Sequence, residues 1–565
     1  MRINRQVKWG VVLMYVQMIL NIVINICYTP ILIRMLGQSE YGIYNLAASI
    51  ISYLSLFTLG FGSSYIRFYS KYKAQNDEEG IKRLNGLFLT VFSILSSIAL
   101  IAGMILIGNV KVLFNSTYSA NDLKIAKVLM IFLTFNLVIS FPMSLFQSFI
   151  TSQEKFIFQK LINIGKTILS PCLSIVVLYF GHGSIGMVVV TTIISLLIDI
   201  TNILYCVVKL KMRIKIGKIN IPLLKEIFAF SIFIAINQLI DQINGQTDKV
   251  ILGKMINASA VAIYAVVDTI RHMYVTLSTS VSSVFAPSVY RVYNENKEDS
   301  KEQINELFIR IGRLQYYILM LVLTGFIFFG KYFINIWVGE DFSIVYWLVL
   351  LLIIPGTVPL IQNIGIEVQR AQNKHQFRSV VYLIVALTNL VISIIMCKFW
   401  GIIGVTLGTC FANVVGTIMI MNVYYHKKTG LNIIKFWKEI LKASVGMIIP
   451  ALFGVMILLF VNFSNVFMFL GLIILYAIIY LVSIYLISFN KEEKAFVGNI
   501  LVKLRLKKRV DSQNIVSESN SQIEGETKES VEMVEENAGE EKSDSETTDE
   551  EIKEAVNDKD EGESL

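Results

Sequence analysis

Cysteine, histidine and charge are scarce in this chain. Among 565 residues there are five cysteines and four histidines. Cys27, Cys172, Cys206, Cys397 and Cys410 all lie within or beside apolar runs and form no CxxC pair. That excludes a disulfide-stapled secreted scaffold and a cysteine zinc site. His182, His272, His375 and His426 are scattered and no HExxH motif occurs, so no metal centre is expected. Gly165-Lys166-Thr167 imitates the end of a phosphate-binding loop, but Lys160 stands where that loop needs its first glycine. With no ATPase module and no acidic metal motif of a glycosyltransferase, the chain reads as a non-enzyme without a cofactor. Charged residues make up only 16%, against about 25% for an average soluble domain. Acidic residues are thinnest in the body: the first 510 positions hold 46 Lys+Arg and 22 Asp+Glu, and the remainder hold 4 and 20.

What fills the chain instead is hydrocarbon. Hydrophobic residues reach 55% and the mean hydropathy is +0.62. Fourteen apolar runs recur, near 11–33, 43–65, 84–108, 125–150, 161–180, 185–208, 226–246, 258–287, 312–336, 343–367, 378–398, 402–425, 441–462 and 465–489. Each can cross a hydrocarbon layer about 30 Å thick. The excess cations flank these runs, so they point to membrane lipids and topology rather than to nucleic acid. Alternate loops and the two flanks hold 36 Lys+Arg, and the other loops hold 8. Short basic loops stay in the cytoplasm, which predicts an even number of spans with both termini inside. Met1–Gly10 is basic, as in a signal peptide, but the run after it is too long and contains Gln17, Asn21 and Asn25. It reads as a retained first span. Lys503–Arg509 is a basic cluster suited to anionic headgroups. Residues 511–565, rich in Ser, Glu and Asp, cannot bury enough apolar surface to fold and are expected to be disordered.

The chain also repeats itself. Met35-Leu36-Gly37-Gln38-Ser39 parallels Met255-Ile256-Asn257-Ala258-Ser259 at an offset of 220. Gln153, Lys155 and Phe158 parallel Gln372, Lys374 and Phe377 at 219, and Ile185-Gly186 parallels Ile403-Gly404 at 218. Pro142 and Pro359 match at 217. Ordered matches at nearly constant offset predict a duplicated six-span unit with parallel repeats. The expected divisions are a first lobe at 1–218, a second at 219–430, two extra spans at 431–490, a basic segment at 491–510 and the acidic tail.

Polar residues inside the spans are the functional candidates, because a charge at the bilayer centre costs about 2.5–3.5 kcal/mol unless it faces a partner or water. Asn237, Asp241, Asn244 and Asp248 fall at i, i+4, i+7 and i+11, on one helical face. Gln17 and Asn21 repeat that stripe in the first span, so the two stripes are expected to line facing walls of a cavity. Asp268, Arg271 and His272 share a turn of the eighth span and can pair. Lys166 and Asp199 are expected to neutralise each other.

Tyr28-Thr29-Pro30-Ile31-Leu32-Ile33-Arg34-Met35-Leu36-Gly37, then Glu40-Tyr41-Gly42-Ile43-Tyr44, and Gly60-Phe61-Gly62 before Arg67 carry a family resemblance. With the basic start they resemble the Wzx-type flippases of the multidrug/oligosaccharidyl-lipid/polysaccharide exporter superfamily, over roughly residues 5–490. The resemblance implies an all-α polytopic protein of about fourteen membrane helices: two pseudo-symmetric six-helix lobes, two extra helices and the tail. It implies transport of an undecaprenyl-pyrophosphate-linked glycan, with polysaccharide polymerase machinery as a further partner. Arg271 and Lys249 are then the expected anion contacts; Gln17, Asn21, Asn237, Asn244 and Tyr264 are the expected sugar contacts. Asp241, Asp248, Asp268 and His272 are the ion-coupling candidates, with Asp241 foremost. Lipid II flippases carry arginines where this chain has Gln17, Asn21 and Asn25, which argues against lipid II. An ion-coupled drug exporter is the other alternative.

Overall fold

The computed structural model describes residues 5–498 except 115, 218–219, 296–299, 464 and 496–497. The expected 218/219 division, the Lys503–Arg509 cluster and the tail therefore lie outside the described residues. Helix covers nearly all of the described chain, and no strand occurs within it. Twelve helical stretches are long and apolar enough to cross a membrane. Two of them, Val12–Ala74 with 63 residues and Gln376–Thr429 with 54, are too long for one crossing. At about 1.5 Å per residue they would run roughly 95 and 80 Å. Each contains a glycine with positive φ at which two helices meet: Gly37 (φ 75°) and Gly401 (φ 56°). Only glycine adopts that backbone without strain. Each stretch is long enough for two crossings.

The first six helices are α1 (5–36), α2 (38–58, continued by Phe61–Ala74), α3 (Glu78–Gly108), α4 (Ala120–Ser152), α5 (Phe156–Tyr179) and α6 (Gly183–Leu204). The next six are α7 (Ile221–Met255), α8 (Ala258–Asn294), α9 (Ser300–Trp337), α10 (Val345–Ile361, extended by Ile364–Ala371), α11 (375–400) and α12 (402–429). The last two are α13 (Ile433–Phe460) and α14 (Val466–Ser488). Short polar side chains start several of them by satisfying free N–H groups. Asp77 accepts from Gly80 N at 2.7 Å, Ser119 and Asp122 form a capping box, and Asn257 accepts from Ala260 N at 2.9 Å.

The duplication appears in the packing as well as in the sequence. Helix α1 runs along α5, and α7 runs along α11. Lys160 donates to Gln17 at 3.4 Å, and Ser379 donates to Asn237 at 3.3 Å. These are the same contact in each repeat, offset by 220 and 219 positions. The lobes meet where α2 crosses α7 and α8. A Cβ on Gly42 would stand 1.9 Å from the Ala258 carbonyl oxygen, so only glycine permits this approach. Below it runs a polar ladder: Ser49 to Gln246 at 2.9 Å, Tyr53 to Thr247 at 2.6 Å, Gln242 to Ser55 at 2.9 Å and Ser64 to Ser231 at 2.6 Å.

Helices α13 and α14 hold to α9 through a cluster of Phe328, Phe329, Ile457, Phe469 and Tyr476. Arg313 ties the other end, bonding Glu439 at 3.0 Å and the Ser488 carbonyl at 2.9 Å. Their outer faces stay apolar and open, with Phe460 80% and Phe467 82% exposed. Such surface is stable only against lipid.

Candidate functional site

Asp268 on α8 gathers the buried charge. Its Oδ2 lies 2.9 Å from Lys249 Nζ, and its Oδ1 lies 2.7 Å from Arg271 Nη2 and 3.2 Å from Arg271 Nε. Two cations share this one carboxylate, and the buried Asp248 carboxylate acts on Arg271 through space. The tight turn between α7 and α8 brings Lys249 opposite Asp268, and the helical i, i+3 spacing supplies Arg271.

Arg271 lines a cavity of about 320 Å³ inside the second lobe, walled by α7, α8, α10, α11 and α12. Asn244, Asn363, Asn389 and Asn413 supply amides, and Arg378 supplies a second cation. The Arg378 guanidinium lies 4.6 Å from the centre of the Tyr382 ring, and its Nε has no hydrogen-bond partner. Arg378, at the first position of the apolar run 378–398, lies in the first turn of α11. Its spacing from Gln159, 219 positions in the repeat, was the available signal.

Asp248 occupies a separate buried cluster of oxygens. Tyr264 donates its hydroxyl to Oδ2, and Thr409 donates to the same oxygen at 2.9 Å. Behind Thr409 stand Asn389 Oδ1 at 3.3 Å and, 3.0 Å from that amide, Ser393 Oγ. Ser393 Oγ in turn lies 3.4 Å from the Val405 carbonyl. Asp248 Oδ1 is buried without a partner, although buried polar atoms normally find one. No group of three His, Cys, Asp or Glu suited to a metal occurs among the described residues.

The other expected residues divide. Asn244 reaches the cavity. Lys249 is buried against Asp268 and is not part of the cavity wall, so it supports Arg271 rather than facing a ligand. Tyr264, 1% exposed, serves Asp248 and has no face for a sugar ring. His272 is exposed and takes no part in the charge cluster. Asn21, Asn237 and Asp241 are exposed. The two stripes do not bond across to each other: Gln17 and Asn237 each meet the fifth helix of their own lobe, because those are the helices packed beside them. Gln242, Gln246 and Thr247, between the stripe positions, make the contacts across the seam.

Twelve helical stretches able to cross a membrane, with a polar cavity and buried cations among them, make this an all-α polytopic membrane protein. More narrowly, the chain belongs to the polysaccharide biosynthesis protein family, whose model matches residues 31–346. It is 20% identical over 449 residues to the "Uncharacterized membrane protein EpsK" of Bacillus subtilis, covering 77% of this chain and 85% of that one. It is 22% identical over 322 residues to the "Putative O-antigen transporter" of Shigella flexneri, covering 55% and 72%. Its fold matches "Lipid II flippase MurJ, inward closed conformation" with a TM-score of 0.65 at 19% identity, covering 84% of this chain and 97% of that one.

Proposed function

We propose that this protein flips an undecaprenyl-pyrophosphate-linked oligosaccharide repeat unit from the cytoplasmic to the outer leaflet of the bacterial cytoplasmic membrane, for assembly of cell-surface polysaccharide. The observation that carries the reading is Arg271, presented on a polar cavity with Arg378 while Asp268, itself paired with Lys249, holds it in place. A pyrophosphate cannot enter hydrocarbon with its hydration shell stripped. Arginine's planar fork replaces that shell with paired hydrogen bonds, and the amides beside it serve neutral hydroxyls. The basic loops put both termini in the cytoplasm.

Coupling alternating access to an ion gradient needs a residue that binds the ion, and Asp248 is the residue we assign to it. It brings one negative charge among the neutral oxygens of Thr409, Asn389 and Ser393, with one carboxylate oxygen free. An all-oxygen set with a single charge suits a hard monovalent cation such as sodium, or a proton. Asp241 lies in the exposed part of the stripe and Asp268 is already shared by two cations.

The test is depletion of the protein in its host. Lipid-linked oligosaccharide should accumulate on the inner leaflet, and wild-type protein but not Arg271→Ala should clear it. Normal glycan export together with raised sensitivity to cationic drugs would overturn the reading in favour of a drug exporter.

A further inference from the structure

The first lobe holds a cavity of its own. It measures about 460 Å³ and is walled by α2, α4, α5 and α6. That size lies within the roughly 300–1,000 Å³ of small-molecule sites. It is the repeat counterpart of the Arg271 cavity: Gln159 and Asn163 line it where Arg378 and Tyr382 line the other, at an offset of 219. Asp199 corresponds to Thr417 at 218.

The chemistry has diverged between the two copies. The second-lobe cavity has two guanidinium groups. The first-lobe cavity has Lys166 and Asp199, which cancel in charge and make no ion pair with each other among the described contacts. They act on each other through space, as expected, without closing into a direct contact. Around them, the side-chain amides of Asn136, Asn163 and Asn202 bond no other protein group among the described residues. Free amides within a helix bundle in a membrane are costly unless water or a ligand pairs with them. A carboxamide both donates and accepts, which matches a sugar hydroxyl and does not match a phosphate, an acceptor only.

We infer that this first-lobe cavity is a carbohydrate subsite that takes a sugar of the repeat unit, while the duplicated second-lobe cavity takes the pyrophosphate. The inference rests on the flippase reading and adds to it a division of labour between the lobes. Charge neutrality lets the subsite release a glycan that a cationic pocket would retain if it were acidic. Size lets it hold a small saccharide rather than a single hydroxyl. The seam of α2 against α7 lies between the two cavities: Ser52 lines the first and bonds Gln242, and Asn244, two residues on, lines the second.

The experiment uses the full chain in nanodiscs with its five cysteines replaced by serine. Asn163→Cys and Asn413→Cys are introduced separately, and labelling by a water-soluble maleimide is timed. The probes are undecaprenyl pyrophosphate carrying the host's own repeat unit, and the same lipid without sugar. At about ten times Kd, a bound ligand should slow labelling by about tenfold. The expected result is protection of Asn163→Cys by the sugar-bearing lipid alone and of Asn413→Cys by both lipids. Protection of Asn163→Cys by both lipids would make it a phosphate site and overturn the inference. So would no protection there while Asn413→Cys is protected, or no labelling of Asn163→Cys at all. Protection of neither position by either lipid would overturn the flippase reading, and this inference with it. As a check independent of cysteine, Asn163→Leu should raise Kd for the sugar-bearing lipid and leave that of the sugar-free lipid unchanged; equal effects on both would also overturn it.

Discussion

Replacing Asp268 with asparagine would strand two cations, and the structure says which one bears the cost. The carboxylate now serves Lys249 at 2.9 Å and Arg271 at 2.7 Å. Removing one partner of a buried pair costs about 3–5 kcal/mol. The two cations are not equally placed. The Lys249 side chain is 10% exposed, whereas that of Arg271 is 26% exposed and borders a cavity that water can fill. Hydration discounts the Arg271 share, so most of the loss falls on Lys249. A loss of about 3 kcal/mol lowers the folded-to-unfolded ratio by roughly a hundredfold. The charge-balanced double variant Asp268→Asn with Lys249→Met should recover most of it, because methionine fills the same space without a charge. Asp268→Asn with Arg271→Gln should recover little. The assay is the temperature at which half of the detergent-solubilised protein stays monodisperse on size exclusion after heating. A single variant as stable as wild type would refute the reasoning. So would rescue by the Arg271 change and not by the Lys249 change.

Asp248→Asn should insert normally and lose gradient-driven export, whereas Asp241→Asn should retain most of it; the reverse pattern in a proteoliposome flux assay would return the coupling role to Asp241. Gly42→Val should push α2 away from the Ala258 carbonyl and destabilise the protein by about 1–3 kcal/mol, the usual cost of overpacking, read as a lower melting temperature; unchanged melting would show that the seam can relax. A reporter fused after Arg509 should be active only in the cytoplasm, and activity only outside the cell would invert the topology.

Much of this protein is decided by local physics, and that part was legible residue by residue. Hydrocarbon thickness sets the length of an apolar run, so the all-helical, polytopic character was legible before any packing was known. Duplication was readable because parallel repeats keep a constant offset, and the contacts Gln17–Lys160 and Asn237–Ser379 preserve it. The clustering of Asp268 with Arg271 followed from helical periodicity alone.

Partners on different helices were another matter. Periodicity says which residues share a face, but not which helix that face meets. The α7 stripe was therefore legible, while the helices that surround it were not. Asp248 meets Thr409, which lies 161 positions away, because α7 packs against the α11–α12 pair. Arg378, at the edge of an apolar run, carries no local sign in the sequence of the cavity that closes around it. Lys249 and Arg271 were equal candidates in sequence, and only burial separated the supporting cation from the one on the cavity wall. In each case the deciding energy is desolvation of a polar group, which depends on everything packed around that group and not on its neighbours along the chain.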